Sequence, residues 1–419
     1  MKPQRRVFVV GGAQTPFLGH ARPEFVPLRE VRRGRGANPS LQHHLTGAVQ
    51  GAFHATGIDP AAVDRAWVGN FLGECFVRQG HMGALLAAAC PALEGRPIAR
   101  MEAACASGGV SLATAIDALQ AVCDVALVVG VEVETTVRGR EGADHMALAA
   151  HWEQQRGLSE FVFPHLFAHR ARAWKAAFGG TARDLARVTF KSRQNATLND
   201  DALHRYTETT LDALDAVSDT NRVFLEDPAL RPHMRISDST EFADGAAAVV
   251  LATEAGLRRL GRSPDDCTEI RSYGFQVRGL GATVDPARLT NIAAAAAEAY
   301  ADAGCAGGDM ELAEVHDCFS VTEAQLYGAI GLCAEADAPA FIRDGAAERT
   351  GRVPVNPGGG LLGAGHPVGA TGVRQVLEVW RQMTGRAGRH QLDRRPRRAV
   401  TANLGGDDRT AVVMVHQAP

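Results

Sequence analysis

Four stretches of this chain carry residue types that do chemistry: Met101-Glu-Ala-Ala-Cys-Ala-Ser-Gly-Gly109, His316-Asp-Cys-Phe319, Gly363-Ala-Gly-His-Pro-Val-Gly369 and Asn403-Leu-Gly-Gly406. In the first, Cys105 is ringed by Ala103, Ala104, Ala106, Ser107, Gly108 and Gly109. An apolar helical period follows through Val110, Ala113, Ile116 and Leu119. The pattern predicts an extended segment, a crowded turn, and a helix whose first turn carries the thiol. Free N–H groups and the positive end of the helix dipole favour a thiolate there. Small neighbours leave room for a bulky acyl group to reach the sulfur. An isolated cysteine is more often a small buried hydrophobe, but that reading leaves the ring of small residues unexplained.

His366 lies between Gly365 and Pro367, in a turn whose tightly specified backbone holds the imidazole at one angle. His316 closes an apolar run, where a solvated or satisfied histidine is the plainer alternative. A cysteine with one or two histidines supports nucleophilic catalysis, because the imidazole takes the thiol proton and later returns it. His316 and Cys318, close in sequence, could instead hold a metal. No metal site is expected.

The elements that must position these residues are legible in outline. Residues 7–10 read as a buried strand and residues 11–16 as a plain turn, since the dinucleotide-fingerprint spacing is missing and Pro16 interrupts it. Residues 29–35 read as a solvated basic loop. Residues 41–57 are helical, 66–70 form a strand, and 80–90 form a small-residue helix. The apolar run 125–131 is typical of a strand covered on both faces. From about residue 135 to 235 strand-like runs vanish and helical patterns dominate, notably 167–178 and 182–195. Strand character returns at 246–252. The second half then repeats the first in order: strand 270–275, helix 292–304, strand 312–319, a turn and helix at 358–376 matching the Cys105 unit, and strand 411–415. A duplicated α/β core carrying a helical lobe is predicted.

Bulk properties set the bounds. At 419 residues the chain exceeds the span of one hydrophobic core, so two or more domains are expected. A net charge of −3 gives no electrostatic case for nucleic acid or membrane as partner. The eight cysteines include no Cys-x-x-Cys pair, and Met1 to Arg6 lead straight into the first strand with no signal peptide. Free thiols in a reducing cytoplasm are expected. No apolar run is long enough to span a bilayer.

With these stretches in this order, the chain resembles the thiolase superfamily over nearly its whole length. The Cys105-Ala-Ser107 and Gly365-His-Pro367 motifs carry most of the resemblance. His316-Asp-Cys-Phe319 is similar to the sterol-carrier-protein-type and archaeal thiolases, where other thiolases have Asn-Glu-Ala-Phe. Residues 237–252 resemble the family's Ser-Asp-Gly-Ala-Ala-Ala-Val-Val region, with several extra residues before Asp244. The resemblance implies an α/β fold with a duplicated βαβαβαββ core in five αβαβα layers and an inserted helical loop domain. Residues 1–134 and 236–260 are then the N-terminal half, 135–235 the loop domain, and 261–419 the C-terminal half.

The same resemblance implies an acyl-CoA C-acyltransferase: Claisen condensation of acyl-CoA thioesters, or the reverse thiolysis. Coenzyme A thioesters are its substrates, no cofactor is permanently bound, and a homodimer or homotetramer is expected. Position by position, Cys105 is the acylated nucleophile and His366 its base. His316 and His366 polarise the thioester oxygen of the second substrate, and the N–H groups of Cys105 and Gly405 form the other oxyanion hole. Many thiolases carry a second catalytic cysteine in a C-terminal Cys-x-Gly motif; that position is Asn403 here, and Asn cannot be a base. Cys318 stands in for it. If Cys318 points away, the remaining Cys105, His316 and His366 resemble a decarboxylating ketosynthase, which forms its carbanion by losing CO2. Some relatives of this branch work as aldolases or acyltransferases beside a small OB-fold partner chain, which adds such a protein to the expected partners. Trp152, Phe161, Phe163, Phe167 and Trp174 of the lobe either line a bulky acyl pocket or pack its core.

Overall fold

The computed structural model describes residues 1–419. The first half runs β1 (Val7–Gln14), α1 (Leu41–Thr56), β2 (Arg65–Gly69), α2 (Met82–Ala89), β3 (Ile98–Met101), α3 (Ser107–Ala121) and β4 (Val125–Glu132). Several short helices and two long ones, α4 (Val162–Phe178) and α5 (Ala182–Ala196), precede β5 (Gly245–Thr253). The second half runs β6 (Thr268–Val277), α6 (Thr290–Ala303), β7 (Leu312–Val315), α7 (Ser320–Ala329), α8 (Gly360–Ala364), α9 (Thr371–Thr384), β8 (Arg398–Gly405) and β9 (Thr410–Gln417). Capping sets the ends of α1 as its sequence demands: the Ser40 side chain accepts from His43 N–H, and Gly57 closes the helix at φ 63°.

All nine strands join one sheet in the order β3-β2-β4-β5-β1-β6-β9-β8-β7. The order is one motif used twice. β1–β5 and β5–β4 pair antiparallel and β4–β2 parallel; β6–β9, β9–β8 and β8–β7 repeat that pattern. In place of a partner equivalent to β3, the second half keeps a single parallel bridge between Ala313 and Val355. A short antiparallel pairing of β1 with β6 joins the halves. The duplication read from element order is therefore present in the pairing itself.

α1 lies on β1, β5 and β4, and α6 lies on β6, β9 and β8. α3 and α9 pack on each other between the two halves of the sheet, α9 touching both β5 and β8. Five αβαβα layers result. Side-chain alternation explains why the strands read as unbroken apolar runs. Val125, Leu127 and Val129 of β4 face Leu45 and Val49 of α1, while Ala126 and Val128 face Ile116, Val373 and Leu377 of the central helices. In β9, Val413 and Val415 face Ile292 and Ala295, and Val412 and Met414 face the central layer.

Four sequence expectations are corrected here. Gly11 and Gly12 do not turn the chain: they sit inside β1, where the register shifts between Val9 and Gly11. Glycine is needed there for closeness, since a Cβ on Gly12 would stand 2.1 Å from the Ala248 carbonyl oxygen across the sheet. The basic loop at residues 29–35 contains a helical turn, Leu28–Val31, with Glu30 paired to Arg33 and Arg35. The strand at residue 312 ends at Val315, short of Phe319. β8 was not foreseen, because Arg398-Ala-Val-Thr-Ala-Asn403 lacks a continuous apolar run. Residues 135–235 contain helices and no strand, apart from a bridge between Val223 and Arg235.

Candidate active site

The Cys105 turn connects β3 to α3. Ala104 takes φ 51°, a left-handed conformation disfavoured for a residue with a Cβ. It is held by Ser107, whose Oγ donates to the Ala104 carbonyl at 2.6 Å and accepts from Ala103 N–H at 3.0 Å. α3 begins at Ser107 with Ala106 as its N-cap, so Cys105 lies just ahead of the helix and not in its first turn. The ring of small residues does serve close approach. A Cβ on Gly405 would meet the Ala103 carbonyl oxygen at 2.4 Å, and one on Gly108 would meet the Gly369 carbonyl oxygen at 2.9 Å.

The duplication brings the histidines to that turn. Cys105 precedes α3 and His366 precedes α9, the equivalent helix of the second half. His316 follows β7 as Asn70 follows β2. The Cys105 thiol and one ring nitrogen from each of His316 and His366 lie within 4.8 Å of one another. The two rings meet edge to face, centroids 4.9 Å apart at 87°. Nε2 of each is buried without a partner in the chain. His366 Nδ1 lies 2.6 Å from Thr371 Oγ1, which reaches on to the Pro367 carbonyl at 3.3 Å. Asn403 joins the groups: Nδ2 lies 3.0 Å from His316 Nδ1 and donates to the Cys105 carbonyl at 3.2 Å, while Oδ1 accepts from Gly109 N–H at 3.1 Å.

Buried carboxylates that sequence reading missed hold these turns. Glu132, at the end of β4, accepts from Asn70 Nδ2 and from the N–H groups of Phe71, Leu72 and Gly369 at 2.8–3.1 Å. Glu134 accepts from Val368 N–H at 2.9 Å, and Asp244 from the N–H groups of Glu134 and Thr135 at 2.7 and 3.0 Å. Asp317 accepts from Leu361 N–H at 2.6 Å at the start of α8, which is why the chain leaves its strand direction at Val315. The available signal was the acidic pair that ends the otherwise apolar strand 125–131.

Electrostatics correct the expected thiolate. Burial and the charge of Glu134 push the Cys105 thiol up to about 12, against the pull of the Gly406 N–H. Burial brings His366 down to about 3 and drives His316 well below its ordinary value. At neutral pH the site therefore holds a thiol and two neutral imidazoles rather than an ion pair. The far-ultraviolet difference between the native enzyme and Cys105→Ser should show no thiolate step between about pH 6 and pH 9; a step in that range would restore the ion pair.

Cys318 stands outside the trio. Its thiol is buried 3.8 Å from Thr322 Oγ1, and burial, followed by the unfavourable prospect of a second thiolate beside Cys105, raises its pKa well above normal. The lobe aromatics divide. Trp174 and Phe167 are core, with Phe167 stacked on Phe319 at 4.3 Å, and Trp152 is exposed. Phe163 packs in the small cluster that also holds Cys105, Phe71 and Phe76. A cavity of about 1130 Å³ opens in the helical segment, lined by Arg193, Arg205, Tyr206, Thr209, Asn221 and Glu241 among others, and none of the trio lines it. The remaining cysteines are also free thiols. No helix is long and apolar enough to cross a membrane.

A thiol facing two neutral imidazoles, held by equivalent turns of a duplicated α/β core, is the equipment of a cysteine-dependent acyl-transfer enzyme. Comparison with known proteins narrows this. Residues 30–255 match the family model "Thiolase, N-terminal domain", and residues 276–418 match "Thiolase C-terminal domain-like". The acetyl-CoA acetyltransferase of Methanothermobacter thermautotrophicus is 32% identical over 98% of this chain and 99% of its own. The benzoylsuccinyl-CoA thiolase subunit BbsB of Thauera aromatica is 30% identical over 97% of this chain and 96% of its own. Among solved structures, an Ltp2-ChsH2(DUF35) aldolase matches 99% of this chain and 98% of its own with a TM-score of 0.78 at 19% identity. The chain belongs to the thiolase family, and its activity is acyl transfer of the thiolase type.

Proposed function

We propose that the chain condenses two acyl-CoA molecules, or cleaves a 3-ketoacyl-CoA in reverse, through a thioester formed on Cys105. The observation that carries the reading is the meeting of the Cys105 thiol, within 4.8 Å, with two neutral imidazoles whose Nε2 atoms have no partner in the chain. In the first half-reaction the sulfur attacks the donor's thioester carbonyl while its proton passes to His366 Nε2. The departing coenzyme A thiolate then takes that proton. Thr371 can donate to the Pro367 carbonyl and accept from His366 Nδ1–H, which leaves Nε2 a lone pair to act as base. The oxyanion of this step lies toward the N–H of Cys105 and the Gly405–Gly406 turn. Gly405 N–H is the second donor in this reading, and the neighbouring Gly406 N–H bears on the sulfur. In the second half-reaction His316 donates to the thioester oxygen of the second acyl group, and His366 joins it as a donor once its Nε2 carries a proton.

Cys318 is assigned the α-carbon proton. Its raised pKa keeps it protonated at rest, which suits the thiolysis direction, where the acid gives a proton to the departing carbanion. Its place outside the trio favours a second reading, a decarboxylating ketosynthase that needs no such thiol. Intact-mass spectrometry after incubation with acetyl-CoA or malonyl-CoA separates the two. The native enzyme and Cys318→Ala should both gain an acetyl group on Cys105, with condensation abolished only in Cys318→Ala. Unchanged condensation in Cys318→Ala, with CO2 released from malonyl-CoA, would reject thiolase chemistry for the ketosynthase.

The finer assignments follow from the same reading. Residues 1–134 with 236–260 and residues 261–419 are the two catalytic halves, and residues 135–235 the loop domain that shapes the acyl pocket, with Phe163 packed against the same small cluster as Cys105. Coenzyme A thioesters are substrates and no cofactor is permanently held. The free thiols suit a reducing cytoplasm. A homodimer or homotetramer is proposed, and the fold shared with an aldolase solved together with a DUF35 chain supports looking for a small partner protein by co-purification.

A further inference from the structure

We infer that Asn403 is a positioning residue that fixes His316 as a hydrogen-bond donor into the site, an inference that rests on the acyl-transfer reading above. Two backbone groups decide which way the Asn403 amide faces. Gly109 N–H can only donate, and it lies 3.1 Å from Oδ1; the Cys105 carbonyl can only accept, and it lies 3.2 Å from Nδ2. Turning the amide over would set donor against donor and acceptor against acceptor. With its orientation settled, Nδ2 lies 3.0 Å from His316 Nδ1. An amide nitrogen cannot accept, so Nδ1 must.

A neutral His316 therefore carries its proton on Nε2. That atom is fully buried and has no partner in the chain. A buried N–H is rarely left unpaired, so this one is reserved for a ligand, the thioester oxygen of the second substrate. His366 is arranged the other way, with Nδ1 against Thr371 and Nε2 free to accept. The adjoining rings thus divide the work as one donor and one acceptor. The same amide works against a metal held by Cys105, His316 and His366, because His316 cannot offer an Nε2 lone pair until Asn403 lets go of Gly109 or Cys105. The residue that replaces a catalytic thiol by resemblance has a task of its own.

The test is nitrogen-15 NMR of the full-length enzyme labelled at histidine, with the His316 signals assigned by their loss in His316→Gln. In the native enzyme His316 should be protonated on Nε2 and bare on Nδ1. Asn403→Asp keeps the shape and the acceptor for Gly109 N–H but offers His316 Nδ1 only acceptors. The proton should move to Nδ1, and turnover should fall by about 10²- to 10³-fold, as for loss of one oxyanion donor. Native His316 protonated on Nδ1 overturns the inference, as does a tautomer shift in Asn403→Asp with turnover unchanged. Should Asn403→Asp fail to fold, the native tautomer alone decides. The tautomer is read without substrate, so a missing acyl adduct beside the expected tautomer would count against the acyl-transfer reading and not against the placement of Asn403.

Discussion

Cys105→Ala is expected to take up no acyl group from any acyl-CoA and to lose about 10⁵- to 10⁶-fold in turnover, the scale on which a covalent nucleophile is missed. The loss will be chemical. Cys105 is half-buried, and its turn is fixed by Ser107 through the Ala103 N–H and the Ala104 carbonyl and by Asn403 through the Cys105 carbonyl. None of these contacts uses the sulfur, so the fold should change by about 1 kcal/mol or less. Peptide mapping is needed beside the intact mass, because Cys75 packs in the same small cluster and is a second free thiol near the site. An adduct that persists in Cys105→Ala, or one mapped to Cys75 in the native protein, would remove Cys105 from the mechanism.

What the sequence revealed and what it hid have physical causes. The strands 125–131 and 411–415 were legible because both of their faces are covered, which forces unbroken apolar runs. The Cys105 and His366 turns stood out because backbone from the other half presses against them, admitting only small residues. The same closeness misled at Gly11 and Gly12, where a glycine crowded by Thr56 and Trp380 and one crowded by the Ala248 carbonyl across the sheet looked like glycines that turn a chain. The thiolate expectation failed because it counted the helix dipole, a local property, and could not count Glu134 and desolvation, which long-range packing supplies. Asn403 looked like a loss for a similar reason. Its role depends on Gly109 and His316, 294 and 87 residues away in the chain, and no window of sequence contains all of them.

His366→Ala should slow acylation of Cys105 by about 10²- to 10⁴-fold, the range for loss of a positioned general base, and should change its pH dependence in a way that packing damage cannot mimic. The turn does not need the ring. Gly365 adopts φ 101°, where a Cβ would press on Leu203 and Ala243, and Val368 and Gly369 are tied by their N–H groups to Glu134 and Glu132. In the native enzyme burial holds His366 at about 3, below the ordinary imidazole value, so the ring stays a neutral base down to that pH. Native acylation should therefore stay level from about pH 5 to pH 8, with no inflection near 6.5 where a free imidazole titrates. Without the ring, a thiol raised to about 12 must ionise unaided. Acylation of His366→Ala should then climb roughly tenfold per pH unit across the same interval, since only the thiolate attacks. A flat profile in the variant would show that another group takes the thiol proton, and a native profile that breaks near 6.5 would show that the ring titrates in contact with water.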